Sequence, residues 1–346
     1  MFNIKKFLLL CTVFIGAVMS SQVLDSTQIF KKTVNQYSEE RFLTQNYYYN
    51  PANRSDYSSL SFSELKISYH NEKKNAYRQQ LGSGENGFSI NADSYKKTKK
   101  NNFLWGNASY NNINLKNIKW NEDLDYERVA PYILSDSVGG NKKLEIYQFG
   151  GGYGKQLNKF SYGIEANYTA QLASRDRDPR SKNTTSDLIL KAGLNYDIYK
   201  KLQIGVFGEL NLYTQTGSVN FVSTVSKPLI YQMVGFGYSN NFFSSESASV
   251  IFEEIGYKFG GHLSNNKGKD FYIRGSFKNS SNVKGIQTKL SNGHLDASDL
   301  ENNLYDVEGA KFFNFGKHRT GLLLSYSSNS HTRYEFGYTN KTQFIQ

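Results

Sequence analysis

The stretch YGIEANYTAQLAS, residues 162–174, decides how this chain is read. Ile164, Ala166, Tyr168, Ala170 and Leu172 are apolar, while Glu165, Asn167, Thr169 and Gln171 between them are polar. Strict alternation is the period of a strand with one apolar and one polar face. A soluble sandwich and a membrane barrel both use such strands. They differ in which face meets water.

The same period recurs on either side. LEIYQFGGGYGK (144–155) leads into the turn 157–159. Beyond the charged loop RDRDPRSKN, Leu188, Leu190, Ala192, Leu194, Tyr196 and Ile198 alternate, then Ile204, Val206, Gly208, Leu210 and Leu212 after the turn 199–201. Ile255, Tyr257, Phe259 and Leu263 pair across NNKGKD with Phe271, Ile273 and Phe277, and a last hairpin turns around Gly316–Arg319. Near the start, Leu60 and Phe62 fall out of step with Leu65, Ile67 and Tyr69, which predicts a bulge at Ser63–Glu64.

The connections are two-sided. Short basic turns at 97–101, 157–159 and 199–201 alternate with longer polar loops at about 113–142, 175–185 and 214–228. Outer-membrane barrels have this asymmetry, and a soluble sandwich has no reason for it. The fold expected is therefore all-β: an antiparallel transmembrane β-barrel of about 10–14 strands over 57–346. HTRYEFGYTNKTQFIQ ends without a closing aromatic, so the barrel is expected to be incomplete at its C-terminus. Ile164, Ala166, Tyr168, Ala170, Leu172, Leu190 and Leu194 are then lipid-facing candidates. Glu165, Asn167, Gln171, Lys191, Glu209, Lys258 and Arg274 are lumen-facing candidates. Both signs occur in the lumen set, so it suits either an open, weakly selective channel or a plugged wall.

Composition agrees. The chain of 346 residues has 26 Tyr, 24 Phe and 29 Gly but only 4 Pro, a balance that favours strands and turns. Its mean hydropathy of −0.59 excludes a helical membrane protein and not a barrel. MFNIKKFLLLCTVFIGAVMSSQ reads as a secretory signal peptide, residues 1–21. Cys11, the one cysteine, leaves with it, so the mature chain has no disulfide or thiolate chemistry. Residues 22–56 read as a periplasmic leader with a short N-terminal helix at 25–44 and a Tyr-rich turn, NYYYNPANRSDY; the helix could alternatively plug a pore. The net charge of +11 would allow nucleic acid as a partner, but export and the placing of lysines in turns argue against it.

Candidate chemistry is thin. His70, His262, His294, His318 and His331 are scattered; a lipid hydrolase would need His262 or His331 beside a serine. GGGYGK at 150–155 fails the phosphate-loop pattern at Phe149 and Gln156. Two acidic clusters, Glu122, Asp123, Asp125 and Glu127 and then Asp296, Asp299 and Glu301, suit calcium by ligand type but lack EF-hand spacing, and read as solvated loops. Arg175, Asp176, Arg177, Asp178 and Arg180 are expected to pair among themselves at the surface. No metal, cofactor or catalytic residue is assigned.

The block APYILSDSVGGNKKLEIYQFGGGYG (130–154) resembles an uncharacterised family of Bacteroidota outer-membrane β-barrels, through Pro131-Tyr132, Asp136-Ser137, Gly139-Gly140 and Glu145-x-Tyr147. YYYNPA (47–52) is similar to the Asn-Pro-Ala start of many barrels from that phylum. The resemblance implies an outer-membrane location and a barrel, and no activity. The expected role is passage or uptake of a small solute or lipid. The alternative is a non-conducting structural or secretion-accessory barrel whose loops bind a partner protein. Outer-membrane lipid is an expected partner in either case, and the oligomeric state is left open.

Overall fold

The computed structural model describes residues 43–58, 60–199, 201–225, 227–243, 248–265, 267–287, 293–316, 318–339 and 342–345. The expected signal peptide and residues 25–42 of the expected helix lie outside them. Residues Leu43–Gln346 form one compact unit.

Period-2 sequence gives strands that pair with their chain neighbours. The strands are β1 (Phe62–Lys73), β2 (Gly84–Lys97), β3 (Asn102–Ile118), β4 (Gly140–Leu157), β5 (Phe160–Ser174), β6 (Arg180–Tyr199), β7 (Leu202–Asn220), β8 (Ala248–Asn265), β9 (Phe271–Gln287), β10 (His294–Phe315), β11 (His318–Thr339) and β12 (Thr342–Ile345). All twelve join one antiparallel sheet in chain order. Twelve lies inside the expected range. Among the described residues no helix is long and apolar enough to cross a membrane, which says nothing of strands.

Register fixes the faces. Ile164, Ala192, Gly208 and Phe259 lie side by side across β5 to β8, and the next row is Glu165, Lys191, Glu209 and Lys258. The first row points out, with Ile164 56% and Phe259 60% exposed, and the second points in, with Glu165 and Lys258 each 8% exposed. The distribution is inside out. A soluble sandwich buries its apolar rows, whereas this sheet exposes them and buries its polar ones.

The hairpin ends differ as the sequence suggested. Asn158-Lys159 makes a two-residue turn with Asn158 at φ +47°, a conformation that asparagine tolerates. Tyr199 pairs with Leu202 and Phe315 with His318, so β6–β7 and β10–β11 are joined equally tightly. Among the described residues, the other end carries 74–83, 119–139, 175–179, 221–225 and 227–243. Several loops are shorter than expected because the strands run on into them. In the largest two, Leu134–Ser135, Tyr231–Gly235 and Tyr238–Ser239 build a small second sheet.

The sheet curls but does not close, in keeping with the expected incompleteness: among the described residues β1 pairs only with β2, and β12 only with β11. The outward apolar row that defines the wall fades here. Ser327–Arg333 of β11 (SSNSHTR) has no alternating apolar residue and is exposed on both faces. The bulge at Ser63–Glu64 is absent, since β1 and β2 pair in unbroken register. Phe62 belongs to the inward face, where its ring stacks 6.2 Å from that of Tyr95, so no slip is needed to bring Leu65, Ile67 and Tyr69 outward.

Candidate functional site: an interior sealed from both ends

The curled sheet surrounds two of the chain's own segments. At the short-turn end lie two 3-10 helices, Gln45–Tyr49 and Pro51–Asp56. Asn50 caps the second, its side-chain oxygen accepting from the Ala52 N–H at 2.9 Å, with Pro51 as the first helical residue. Asn50 also donates to Asn195 on β6 (2.9 Å), and Asn195 donates to Asn53 (2.7 Å) and Ser161 (3.1 Å). Tyr47 donates to Gln203 (3.0 Å) and Asn46 to Glu308 (2.6 Å). Glycines make room for this approach. A Cβ on Gly193 would lie 1.8 Å from the Asn50 side-chain oxygen, and one on Gly163 would lie 2.5 Å from Pro51.

The middle level is electrostatic. The Tyr49 ring is faced by Lys191 Nζ (4.3 Å), Lys258 Nζ (4.6 Å) and Arg274 Cζ (5.2 Å), and its hydroxyl donates to Glu209. Burial, with Glu209 beside it, pushes the Tyr49 phenol far up and keeps it neutral. Glu165 accepts from Trp105 (2.9 Å) and Asn167 (2.8 Å) and pairs with Lys191 (3.3 Å) and Arg54 (3.6 Å). Lys258 pairs with Asp306 at 3.6 Å.

At the long-loop end, residues 119–139 fold inward. Arg128 grips Glu254 through two donors (2.8 and 3.0 Å), Asp187 (2.9 Å) and Asn211 (2.6 Å), with its guanidinium 3.7 Å from the centre of the Tyr213 ring. Val129, Ile133 and Leu134 pack against Val219, Ile230, Val250 and Phe252. Around them, Arg175 bridges Glu122 (2.6 Å) and Asp136 (2.5 Å), and Lys142 lies 3.6 Å from Glu122. All four side chains are essentially without solvent contact. Burial pushes the Glu122 carboxyl up to about 7, against the pull of Lys142 and Arg175. Asp123, accepting from the Leu134 N–H at 2.6 Å, is pushed up to about 6 by burial. Burial also works on Asp136, but hydrogen bonds from Glu122, the Gly139 N–H and Arg175 leave it below the usual carboxylate range.

Of the sequence candidates, Glu165, Lys258 and Arg274 are buried inside, and Asn167, Gln171, Lys191 and Glu209 are partly buried there. Ile164, Ala166, Tyr168, Leu190 and Leu194 are exposed outside, with Ala170 and Leu172 half-buried. The acidic loop does not behave as read: Glu122 and Asp123 are buried rather than solvated. Nor is Arg175 a surface partner of its neighbours, although Arg180 does pair with Asp178 at 3.1 Å. The second acidic set is not a loop, since Asp296, Asp299 and Glu301 lie on β10. His262 is buried against Asn53 and Tyr47, and His331 is exposed on β11. The residues sequence reasoning missed are those of the two seals, Tyr49, Asn50, Asn53 and Arg128. The part of the expected leader at 43–56 is packed within the sheet.

Residues 51–346 match a family described as a family of unknown function, DUF6850. The chain belongs to DUF6850. No curated protein is similar to it at a significant level. Among solved structures, this DUF6850 chain is similar to the ferric-catecholate import receptor Fiu of E. coli K12 in its open form, at 7% identity and TM-score 0.42, over 81% of this chain and 57% of that one. It is also similar to the ferric citrate transporter FecA (11%, TM-score 0.37, 72% and 39%) and to the β domain of the Bordetella autotransporter BrkA (12%, TM-score 0.30, 79% and 91%). The DUF6850 chain thus spans little more than half the length of Fiu. These are likenesses between outer-membrane proteins and this sheet, at scores that say nothing of cargo.

Proposed function

We propose that this chain is an outer-membrane β-barrel protein that is sealed at rest, exported by a Sec-type signal peptide at 1–21 and of the Bacteroidota type its sequence resembles. Its inside-out wall supports the membrane reading: Ile164, Leu194, Val206 and Phe259 are more than half exposed in one outward belt, and the polar rows are inside. Replacing the outward Ala166 with Arg is expected to cost about 2–4 kcal/mol of folding stability in lipid or to abolish insertion. Normal assembly of that variant, read by heat-modifiable gel mobility, would refute the orientation.

Between the two roles open to such a barrel, the geometry favours the non-conducting one, with loops that bind a partner protein. The observation that carries this is the occupied interior: segments 45–56 and 119–139 pack against the inner face near its two ends, and Glu165, Glu209, Glu254 and Lys258 are engaged there. No enzymatic step, cofactor or nucleic-acid partner is part of the reading. Planar-bilayer conductance of the refolded mature chain tests it. Compact, heat-modifiable protein without steady conductance is the expected result. Steady channels would restore passage of a small solute or lipid. That second reading has its own support, because several contacts of residues 45–56 with the wall, those of Asn46, Tyr47 and Asn50, are hydrogen bonds that water can replace.

A further inference from the structure

The outer face of β5 to β8 carries a groove of ≈ 840 Å³ that the seals do not explain. Its floor is Ala192 and Gly208, paired across β6 and β7, and its sides include Ile164, Leu194, Val206 and Phe259. The lining is almost wholly apolar, and its size lies in the ordinary range for a small-molecule site. The groove is set toward the short-turn end. Between it and the turns stands an aromatic pair, Phe160 and Tyr196, with ring centres 4.7 Å apart, the kind of residue that sits at a membrane interface. Beyond the aromatics come Lys159 and Lys201, both exposed and neither in an ion pair among the described residues.

These three levels match the parts of one ligand. Resting on the membrane reading above, we infer that the groove, with Lys159 and Lys201, binds an anionic phospholipid, the acyl chain in the groove and the phosphate at the lysines. Length agrees. At ~3.4 Å per residue the groove begins about 10 Å along the strand from Lys159 (to Tyr162) and about 17 Å from Lys201 (to Val206). Strand tilt shortens both distances in depth, keeping them within one leaflet of roughly 15 Å, half the ~30 Å hydrocarbon core. Charge agrees as well, since the phosphate is opposite in sign to both lysines and a surface lysine attracts anionic lipid measurably. Small residues at 192 and 208 leave the space that larger outward side chains fill elsewhere in the belt.

The test is native mass spectrometry of the refolded mature chain in detergent, offered phosphatidylglycerol and phosphatidylcholine with the same acyl chains. The wild type is expected to retain phosphatidylglycerol at least about tenfold better. Lys159→Glu with Lys201→Glu should abolish that preference while lipid of either kind still binds. Ala192→Leu with Gly208→Leu, outward changes compatible with the wall, should lower retention of both lipids, with heat-modifiable mobility confirming that it folds. Equal retention of the two lipids by the wild type overturns the inference, as does wild-type retention by the groove-filled variant. A chain that inserts into vesicles without lipid preference sinks this inference alone. One that does not insert sinks the membrane reading with it.

Discussion

The two seals of the interior are built on opposite principles. The long-loop seal, 119–139, combines an apolar cluster around Val129, Ile133 and Leu134 with an ionic cluster whose side chains are fully buried. The short-turn seal, 45–56, relies more on Asn–Asn, Asn–Glu and Tyr–Gln hydrogen bonds laid over glycines, beside a small apolar contact of Tyr47 with Tyr272, Ala310 and Phe312 and the pairing of Arg54 with Glu165. A hydrogen bond exchanged for one to water changes net stability by about 0.5–1.5 kcal/mol. Removing one member of a buried ionic cluster, which strands its partners, costs several times more. The long-loop end is therefore expected to be the more firmly held of the two.

Four measurements sharpen or break that contrast. Arg175→Ala strands Glu122 and Asp136 in a dry site, so unfolding in detergent by denaturant should show a loss of about 3–5 kcal/mol; a loss under about 1 kcal/mol would mean that the long-loop seal is no firmer than the other. Gly193→Val places side-chain atoms where Asn50 now sits. It should cost about 1–3 kcal/mol, leave the wall folded, and give bilayer conductance with protease cleavage in 43–58. An intact, silent barrel would show the short-turn seal to be as fixed as its counterpart.

The third measurement is a pH profile. Asp123 has its folded pKa raised to about 6, above an unfolded value of about 3.9. Between these values the folded state holds a proton that the unfolded state has released. This contribution is full below about 4 and is lost as pH rises through about 6. Asp123→Asn should remove that residue's share of the slope over the window, keeping the share of Glu122, and leave the short-turn seal unchanged. The smallest effect is expected from Arg78→Ala: Arg78 pairs with Glu127 on the outside of the long-loop seal, where both side chains are exposed, so thermal unfolding should register under about 1 kcal/mol.

The wall was legible in the sequence because its rule is local. Alternation in 162–174 fixes faces without any knowledge of partners, and turns such as Asn158-Lys159 announce themselves by residue type. The seals were not legible because their rule is distant. Glu122, Asp123, Asp125 and Glu127 look like a solvated acidic run until Arg175 and Lys142 are both brought beside Glu122. A signal was present in Leu124, Val129, Ile133 and Leu134, which give that loop more apolar residues than a solvated loop uses. NYYYNPANRSDY read as a turn for the same reason: what Asn50 and Asn53 meet is Asn195. The open edge was legible in part: incompleteness is expected from the last residues, while β11 has a strand's length without a wall strand's pattern.

The placing of Asn46 beside Glu308 has a kinetic consequence. The two are 262 positions apart, whereas the sheet is made of pairings between chain neighbours. Hairpins form on short loops, and the entropy of closing a loop grows with its length, so folding separates into many local events and one of very high contact order. Tyr49 has to await Glu209, and Asn46 has to await Glu308 on the tenth strand. The first described residues of the chain are thus among the last to find their partners.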